Sequence, residues 1–259
     1  MTESPTDARR KRRGSRPAGF SLLELSIVLV IVGLLANSML LGFSALRETA
    51  AREDAEQQLA NASEALLGFA SRHGRLPCPA APASNGSEST GPGGNCTHPW
   101  DGYLPAISLG IHPVDTSGYA VDPWGNPLRY AISAFTNPAC GANYCLSNEN
   151  GVRNAWNSDH PPLPDLRVCT SASGSTGSAG SAECASGQVL TKDAVAVIFS
   201  PGKNGKQTAA GSDEQANANN DRLFVSHSQS LPPNEFDDHL VWLSSNLYYS
   251  RLLAAGRLP

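Results

Sequence analysis

Basic residues are scarce after the first nineteen positions of this 259-residue chain, which has 19 lysines and arginines against 23 aspartates and glutamates. Residues 1–19 hold six of the basic residues and two of the acidic ones, so residues 20–259 carry 13 basic and 21 acidic side chains, a net charge of −8. Sequence-independent nucleic-acid binding depends on a basic surface. The composition therefore predicts no nucleic-acid partner.

The sequence also lacks the short motifs that mark common enzyme sites. It contains no H-E-x-x-H metal motif, no G-x-S-x-G nucleophile turn, no P-loop and no dinucleotide-binding glycine pattern. Its six histidines are scattered along the chain, and each is most simply a surface or loop residue. We therefore predict that the protein is not an enzyme and assign no catalytic residue.

Cysteine is absent from the first 77 residues, and all six cysteines come later. An even number confined to one part of the chain is typical of disulfides formed in the periplasm. A zinc site is the alternative, although no C-x-x-C spacing supports it. Among fifteen possible connectivities, neighbours in sequence favour the pairs Cys78–Cys96, Cys140–Cys145 and Cys169–Cys184.

The N-terminal region has a basic leader followed by a long apolar run. Residues 25–46 are uncharged and, at about 1.5 Å per residue, span about 33 Å, enough to cross a bilayer core. The preceding arginines predict a cytoplasmic N-terminus. A cleaved secretory signal is the alternative, but its apolar region runs for only about 7–15 residues. We therefore predict a retained single-pass span, with the bulk of the chain on the far side of the membrane.

Glu24 is the one charged residue at the start of this run. A carboxylate one turn into a membrane helix is costly and usually has a partner. Together with the basic leader, Gly19, Phe20 and Glu24 resemble the processing signal of the type IV pilin and type II secretion pseudopilin superfamily. The resemblance implies that a prepilin peptidase cleaves between Gly19 and Phe20 and methylates the new amine of Phe20. It also implies that Glu24 meets the N-terminal amine of a neighbouring subunit during assembly.

The remaining pattern divides the chain into four segments. Apolar residues continue at helical spacing to residue 72, and Gly74 suits a left-handed helix cap. Beyond residue 75, short strand patterns occur at residues 128–132, 194–199 and 223–226, with a last strand or helix at 238–247. The segments are a leader at 1–19, a transmembrane helix part at 20–46, an amphipathic helix part at 47–74 and a globular head at 75–259.

The predicted fold class is α+β, with a long N-terminal transmembrane and amphipathic helix packed on a small antiparallel β-sheet head, as in pilins. The Asp-Pro-Trp-Gly-Asn-Pro sequence at residues 122–127 is similar to a segment that follows the helix in type II secretion pseudopilins. This chain is longer than the compact major pseudopilin and has extra loops and cysteines, which favours a minor subunit.

Four aspartates in the C-terminal third offer oxygen ligands for calcium, because hard cations prefer several oxygens. Major pseudopilins of the resembling family bind calcium in a C-terminal loop. The alternative is a solvated acidic loop, since the spacing matches no fixed calcium motif. The four candidates are Asp213, Asp221, Asp237 and Asp238.

The function that follows is structural. We expect a prepilin-like subunit that is processed by prepilin peptidase and joins a type II secretion pseudopilus as a minor pseudopilin, with the inner membrane and other pilin or pseudopilin subunits as partners. Two alternatives remain: a type IV minor pilin for adhesion, motility or DNA uptake, and an uncleaved, signal-anchored periplasmic binding or enzymatic domain.

Overall fold

A computed structural model describes residues 19–140, 144–158, 163–205, 212–230 and 234–259, without the side chains of residues 36–45. The predicted leader therefore lies outside the described residues except for Gly19. The chain separates into two compact units, one ending at Thr49 and the other running from Ala50 to Pro259.

Helix α1 extends over Leu22–His73. Its first turn is capped by Ser21, whose hydroxyl oxygen accepts a hydrogen bond from the backbone N–H of Glu24 at 3.1 Å. It ends before Gly74, which has a φ of 70° and donates its N–H to the carbonyl of Ala70. The predicted left-handed cap at Gly74 is confirmed, and with it the end of the helix.

The predicted membrane span is corrected by the structure. In the described parts of the chain, no helix is long and apolar enough to cross a membrane. The described apolar side chains of α1 run from Leu22 to Leu35, about 21 Å of helix against a hydrocarbon core of about 30 Å. Residues 36–45, which belong to the predicted span, have side chains outside the described set. On this finding the transmembrane helix at 20–46 is wrong, and so is the single-pass inner-membrane location.

The second unit contains six strands and four short α-helices among its described residues. The strands are β1 (Gly102–Tyr103), β2 (Arg129–Ile132), β3 (Leu166–Cys169), β4 (Val189–Ser200), β5 (Leu223–Val225) and β6 (His239–Ser244). The helices are α2 (Ala106–Leu109), α3 (Gly151–Asn157), α4 (Ser212–Ala218) and α5 (Ser245–Ala254).

The six strands form one sheet. Five of them follow the order β1-β2-β4-β3-β5, and β6 pairs with β4 as a further partner of that strand. All pairs are antiparallel except β3 and β5, which are parallel. The predicted antiparallel sheet is thus a mixed one. The predicted buried strand at 194–199 is confirmed as the C-terminal half of β4, where every residue is buried. Its side chains pack into two hydrophobic clusters, because both faces of the sheet are covered there.

The main core lies between the sheet, α5 and the part of α1 that belongs to the second unit. Leu59 and Leu66 of α1, Tyr130 of β2 and Tyr248 of α5 are all buried there. The sheet also brings the start of β2 opposite the end of β4, with Arg129 paired to Phe199. This register sets the position of the carboxylate centre described below.

Three disulfides link the cysteines, and they join the pairs favoured by sequence proximity: Cys78–Cys96, Cys140–Cys145 and Cys169–Cys184. No free cysteine remains among the residues that the structure describes. Disulfides of this kind are typical of proteins of the periplasm or the extracellular space.

Candidate functional site

The residues of the predicted cleavage site are accessible. Phe20 is 84% exposed, and nothing lies within 4 Å of the position that a Cβ of Gly19 would occupy. Glu24 is exposed in the first turn of α1, where a carboxylate also interacts favourably with the helix dipole. Cleavage after Gly19, methylation of Phe20 and pairing by Glu24 stay predictions.

The N-terminal part of α1 has a continuous apolar surface that is exposed in the part of the chain that the structure describes. The large apolar side chains between Leu22 and Leu35 are 48–88% exposed. They occupy successive positions, so they surround the helix rather than forming one stripe. A helix that is apolar on all sides is normally buried, and an exposed patch of this size marks an interaction surface. This surface is called the α1 assembly segment below.

A second candidate site lies in the other unit, where three carboxylates meet. Glu214, Asp237 and Asp238 each offer an oxygen, and these atoms all lie within 4.8 Å of one another. Glu214 comes from the first turn of α4, while the two aspartates directly precede β6. We call these three residues the carboxylate centre.

Hydrogen bonds hold the carboxylate centre in place but leave part of it unsatisfied. Asp237 Oδ2 accepts from the backbone N–H groups of Lys203 and Asn204 at 2.9 and 3.2 Å. Glu214 Oε1 accepts from the Asn204 side-chain amide at 2.9 Å and from the Asp237 N–H at 3.1 Å. Asn217 Nδ2 donates to Asp238 Oδ2 at 2.8 Å. Glu214 Oε2 and Asp237 Oδ1 are buried, and neither has a hydrogen-bond partner among the residues that the structure describes. Such an arrangement costs free energy unless another group completes it.

Gly202 allows the backbone to approach Asp237 closely. It has a φ of 66°, and a Cβ there would lie 2.4 Å from both the carbonyl oxygen and Oδ1 of Asp237. The carbonyl of Gly202 accepts a hydrogen bond from Asn126 Nδ2, and Ser200 Oγ donates to Asp122 Oδ2 at 2.6 Å. The Asp-Pro-Trp-Gly-Asn turn singled out in the sequence therefore supports the loop beneath the carboxylate centre.

Burial changes the acidity of this centre. It raises the pKa of Asp238 to about 7, and the negative charges of Glu214 and Asp237 also raise it. The hydrogen bond from Asn217 and the positive charge of Arg129 act in the opposite direction and lower this pKa. Burial likewise raises the pKa of Asp237 to about 6. Carboxylates held this close together and out of water repel one another, and the repulsion is relieved by a proton or a cation.

The four predicted calcium ligands are separated by the fold. Asp237 and Asp238 belong to the carboxylate centre, whereas Asp213 and Asp221 lie outside it. Asp213 accepts from the N–H of Ala172 at 2.7 Å and is 3.2 Å from His227 Nε2. Asp221 Oδ1 accepts from the N–H of Leu223 at 2.8 Å. Both carboxylates form hydrogen bonds within local loops, whereas the group of possible ligand atoms consists of Glu214, Asp237 and Asp238. Calcium binding by the predicted aspartates stays a prediction.

Sequence reasoning missed two residues of this site, Glu214 and Arg129. Glu214 lies in α4, and Ser212-Asp213-Glu214 is a typical helix start that could have revealed this helix. Arg129 lines a cavity of about 100 Å³ together with Glu214, Asp238, Asn204 and Phe199. Its place at the centre follows only from the pairing of β2 with β4.

Oxygen ligands of this kind fit a hard divalent cation. Calcium binds oxygens at about 2.3–2.6 Å, so ligand atoms within 4.8 Å of one another are close enough to share one ion. Glu214 Oε2 and Asp237 Oδ1, the two buried oxygens described above, are available as ligand atoms for such an ion.

Comparisons with protein-family models, with curated proteins and with solved structures found no match to this chain. What the protein does is therefore inferred from its own residues and their geometry.

Proposed function

We propose that the protein is a prepilin-like structural subunit that is cleaved between Gly19 and Phe20 and assembles into a pseudopilus through the α1 assembly segment. The observation that carries this proposal is the uncovered apolar surface from Leu22 to Leu35, which begins directly behind the cleavage motif. Sister subunits are the expected cover, because their own assembly segments have the same apolar surface.

Burial energetics support assembly through this segment. Covering one large apolar side chain contributes about 1.5–3 kcal/mol, and the segment has many such side chains. Since the apolar residues surround the helix, more than one neighbouring helix is needed to cover them. Cleavage would create an ammonium group at Phe20, and Glu24 supplies a carboxylate of opposite charge at the subunit contact.

The first test measures the N-terminus of the mature protein by intact-mass and peptide mass spectrometry, in cells with and without prepilin peptidase. We expect a methylated Phe20 start that depends on the peptidase. A Gly19→Val variant should keep its leader, whereas the matched Gly14→Val variant should be processed. A chain that begins at Met1 or Thr2 in both strains would contradict the proposal and favour an uncleaved periplasmic domain.

A second test separates the pseudopilus from the type IV pilus. The Asp122–Asn126 turn and its bonds to Ser200 and Gly202 support the pseudopilin choice, because a similar turn occurs in the resembling pseudopilins. We expect deletion of the gene to reduce secretion through a type II system without loss of surface pili. Loss of pili with normal secretion would instead favour a minor pilin.

For the other unit, the supported function is binding of a divalent cation such as calcium by the carboxylate centre. The observation that favours it is that two buried oxygens, Glu214 Oε2 and Asp237 Oδ1, find no hydrogen-bond partner within the described part of the chain. When bound, the ion would neutralise the repulsion among the carboxylates and cross-link α4 to the start of β6.

Calcium binding is testable by thermal unfolding in EDTA and in calcium chloride. We expect calcium to raise the Tm of the wild-type protein and of Asp221→Asn, which removes a carboxylate outside the centre. Glu214→Gln should lose most of this increase, because the amide cannot supply a charged ligand. An equal calcium-induced increase in Glu214→Gln and Asp221→Asn would exclude the carboxylate centre as the site.

A further inference from the structure

We propose that Arg129 is a built-in competing cation that weakens the binding of divalent cations at the carboxylate centre and so sets its affinity. This inference rests on the cation-binding function proposed above. It assigns a role to a residue that is not itself a ligand.

The side chain of Arg129 is held at the cavity by contacts on its far side. Its Nη2 donates to the carbonyl of Asp101 at 2.6 Å, and its guanidinium carbon lies 5.0 Å from the centre of the Tyr103 ring. Its Nε is buried and has no hydrogen-bond partner in the described segments of the chain. The guanidinium is therefore fixed beside the cavity that Arg129 lines together with Glu214 and Asp238. Its Nε donates no hydrogen bond to either carboxylate.

The charges in the cavity favour a competing role over a structural ion pair. An arginine stays protonated at all physiological pH values, so its charge is always present. Arg129 and Asp238 line the same cavity, so the guanidinium and the carboxylate lie in one electrostatic environment. A divalent cation entering the same cavity is attracted by the carboxylates of Glu214 and Asp238 and repelled by the guanidinium of Arg129. In a partly buried site this repulsion is screened much less than at the surface.

Removing this one charge should therefore tighten cation binding. Even with an effective dielectric constant of about 20, the repulsion between a divalent ion and a unit charge several ångströms away is large enough to change affinity by about tenfold or more. A substitution that keeps the charge should leave the affinity near its wild-type value.

The experiment is calorimetric titration of calcium chloride into the full-length protein at pH 7.5. Arg129→Met keeps an unbranched side chain against Tyr103 and removes the charge, whereas Arg129→Lys keeps the charge; both lose the arginine-specific bond to Asp101. Arg251→Met removes the same charge from the exposed surface of α5 and controls for net charge. Circular dichroism in EDTA checks folding, and Arg129→Gln replaces Arg129→Met if the latter does not fold.

We expect Arg129→Met to bind calcium about tenfold more tightly than the wild type, with Arg129→Lys and Arg251→Met within about threefold. Equal or weaker binding by Arg129→Met, with measurable binding by the wild type, would overturn the role of Arg129 and leave the cation site standing. No binding by any of the four proteins would overturn both the role of Arg129 and the cation site itself.

Discussion

Asp237 and Asp238 ionise less readily than ordinary aspartates because burial and the neighbouring Glu214 favour their protonated forms. Their pKa values in the folded protein, about 6 and about 7, lie above the usual value of about 3.9 for an unfolded chain. The folded protein therefore binds more protons than the unfolded chain between about pH 4 and pH 7. Stability linked to these groups is fully present below about pH 4 and is lost as the pH rises to about 7.

This linkage predicts that, in EDTA, the free energy of unfolding is higher at pH 5 than at pH 7.5, by an amount of the order of a few kcal/mol. Urea unfolding at the two pH values measures it. Asp238→Asn should reduce the difference, because the amide keeps an oxygen for Asn217 but cannot ionise. Calcium should also reduce it by stabilising the ionised centre at pH 7.5. A free energy of unfolding that rises from pH 5 to pH 7.5 in EDTA would contradict the assignment.

Helix α1 combines two kinds of surface along one element. In the second unit, Leu59 and Leu66 are buried against the sheet and α5, so substitutions there are expected to cost stability. Between Leu22 and Leu35 the apolar side chains are exposed and contribute little to the stability of the single chain. If sister subunits cover them, the two parts of the helix respond differently to the same kind of substitution.

We expect Val30→Asp to abolish assembly while leaving the free energy of unfolding of the second unit unchanged within about 0.5 kcal/mol, because Val30 is 62% exposed. Crosslinking in cells followed by purification measures assembly, and mass spectrometry of the N-terminus verifies processing. Val30→Leu preserves the apolar surface and should assemble normally. Assembly of processed Val30→Asp subunits at the wild-type level would show that this surface is not the contact.

Elements with strong local signals could be predicted from the sequence. The continuous Ala-Val-Ala-Val-Ile-Phe run at 194–199 indicates a strand buried on both faces, and Gly74 indicates the end of α1; the structure has both. The parallel pairing of β3 with β5 could not be predicted, because these strands have only four and three residues and their partners are chosen by packing.

Only part of the carboxylate centre could be predicted from local sequence. Asp237 and Asp238 are neighbours in sequence, and their acidic character alone made them candidates. Glu214 lies 23 residues from Asp237, and its carboxylate reaches the aspartates only because Asn204 and the N–H of Asp237 hold it there. Arg129 is more remote still and arrives through strand register. Tertiary packing therefore determines which residues come together at the carboxylate centre.

At the scale of the whole molecule, the disulfides compensate for long connections between short strands. Cys78–Cys96 and Cys169–Cys184 span 18 and 15 residues, whereas Cys140–Cys145 spans five. A crosslink that closes a longer loop removes more conformational entropy from the unfolded chain. The first two bonds also tie their loops to buried positions, because Cys78, Cys96 and Cys169 belong to hydrophobic clusters.

The three disulfides should therefore contribute unequally to stability. The chain-entropy relation gives about 3 kcal/mol for each longer loop and about 2 kcal/mol for the short one. We expect the Cys169→Ala/Cys184→Ala double variant to lose more free energy of unfolding than Cys140→Ala/Cys145→Ala, as measured by urea unfolding of the oxidised proteins. Double variants keep the comparison free of unpaired thiols. Removal of the Cys140–Cys145 bond could instead lower the free energy of unfolding by as much or more. Its main role would then be to hold α3 and the adjacent turn in the folded state rather than to restrict the unfolded chain. Such a role is consistent with the contact of Cys140 Sγ with the carbonyl of Gly151 at 3.3 Å.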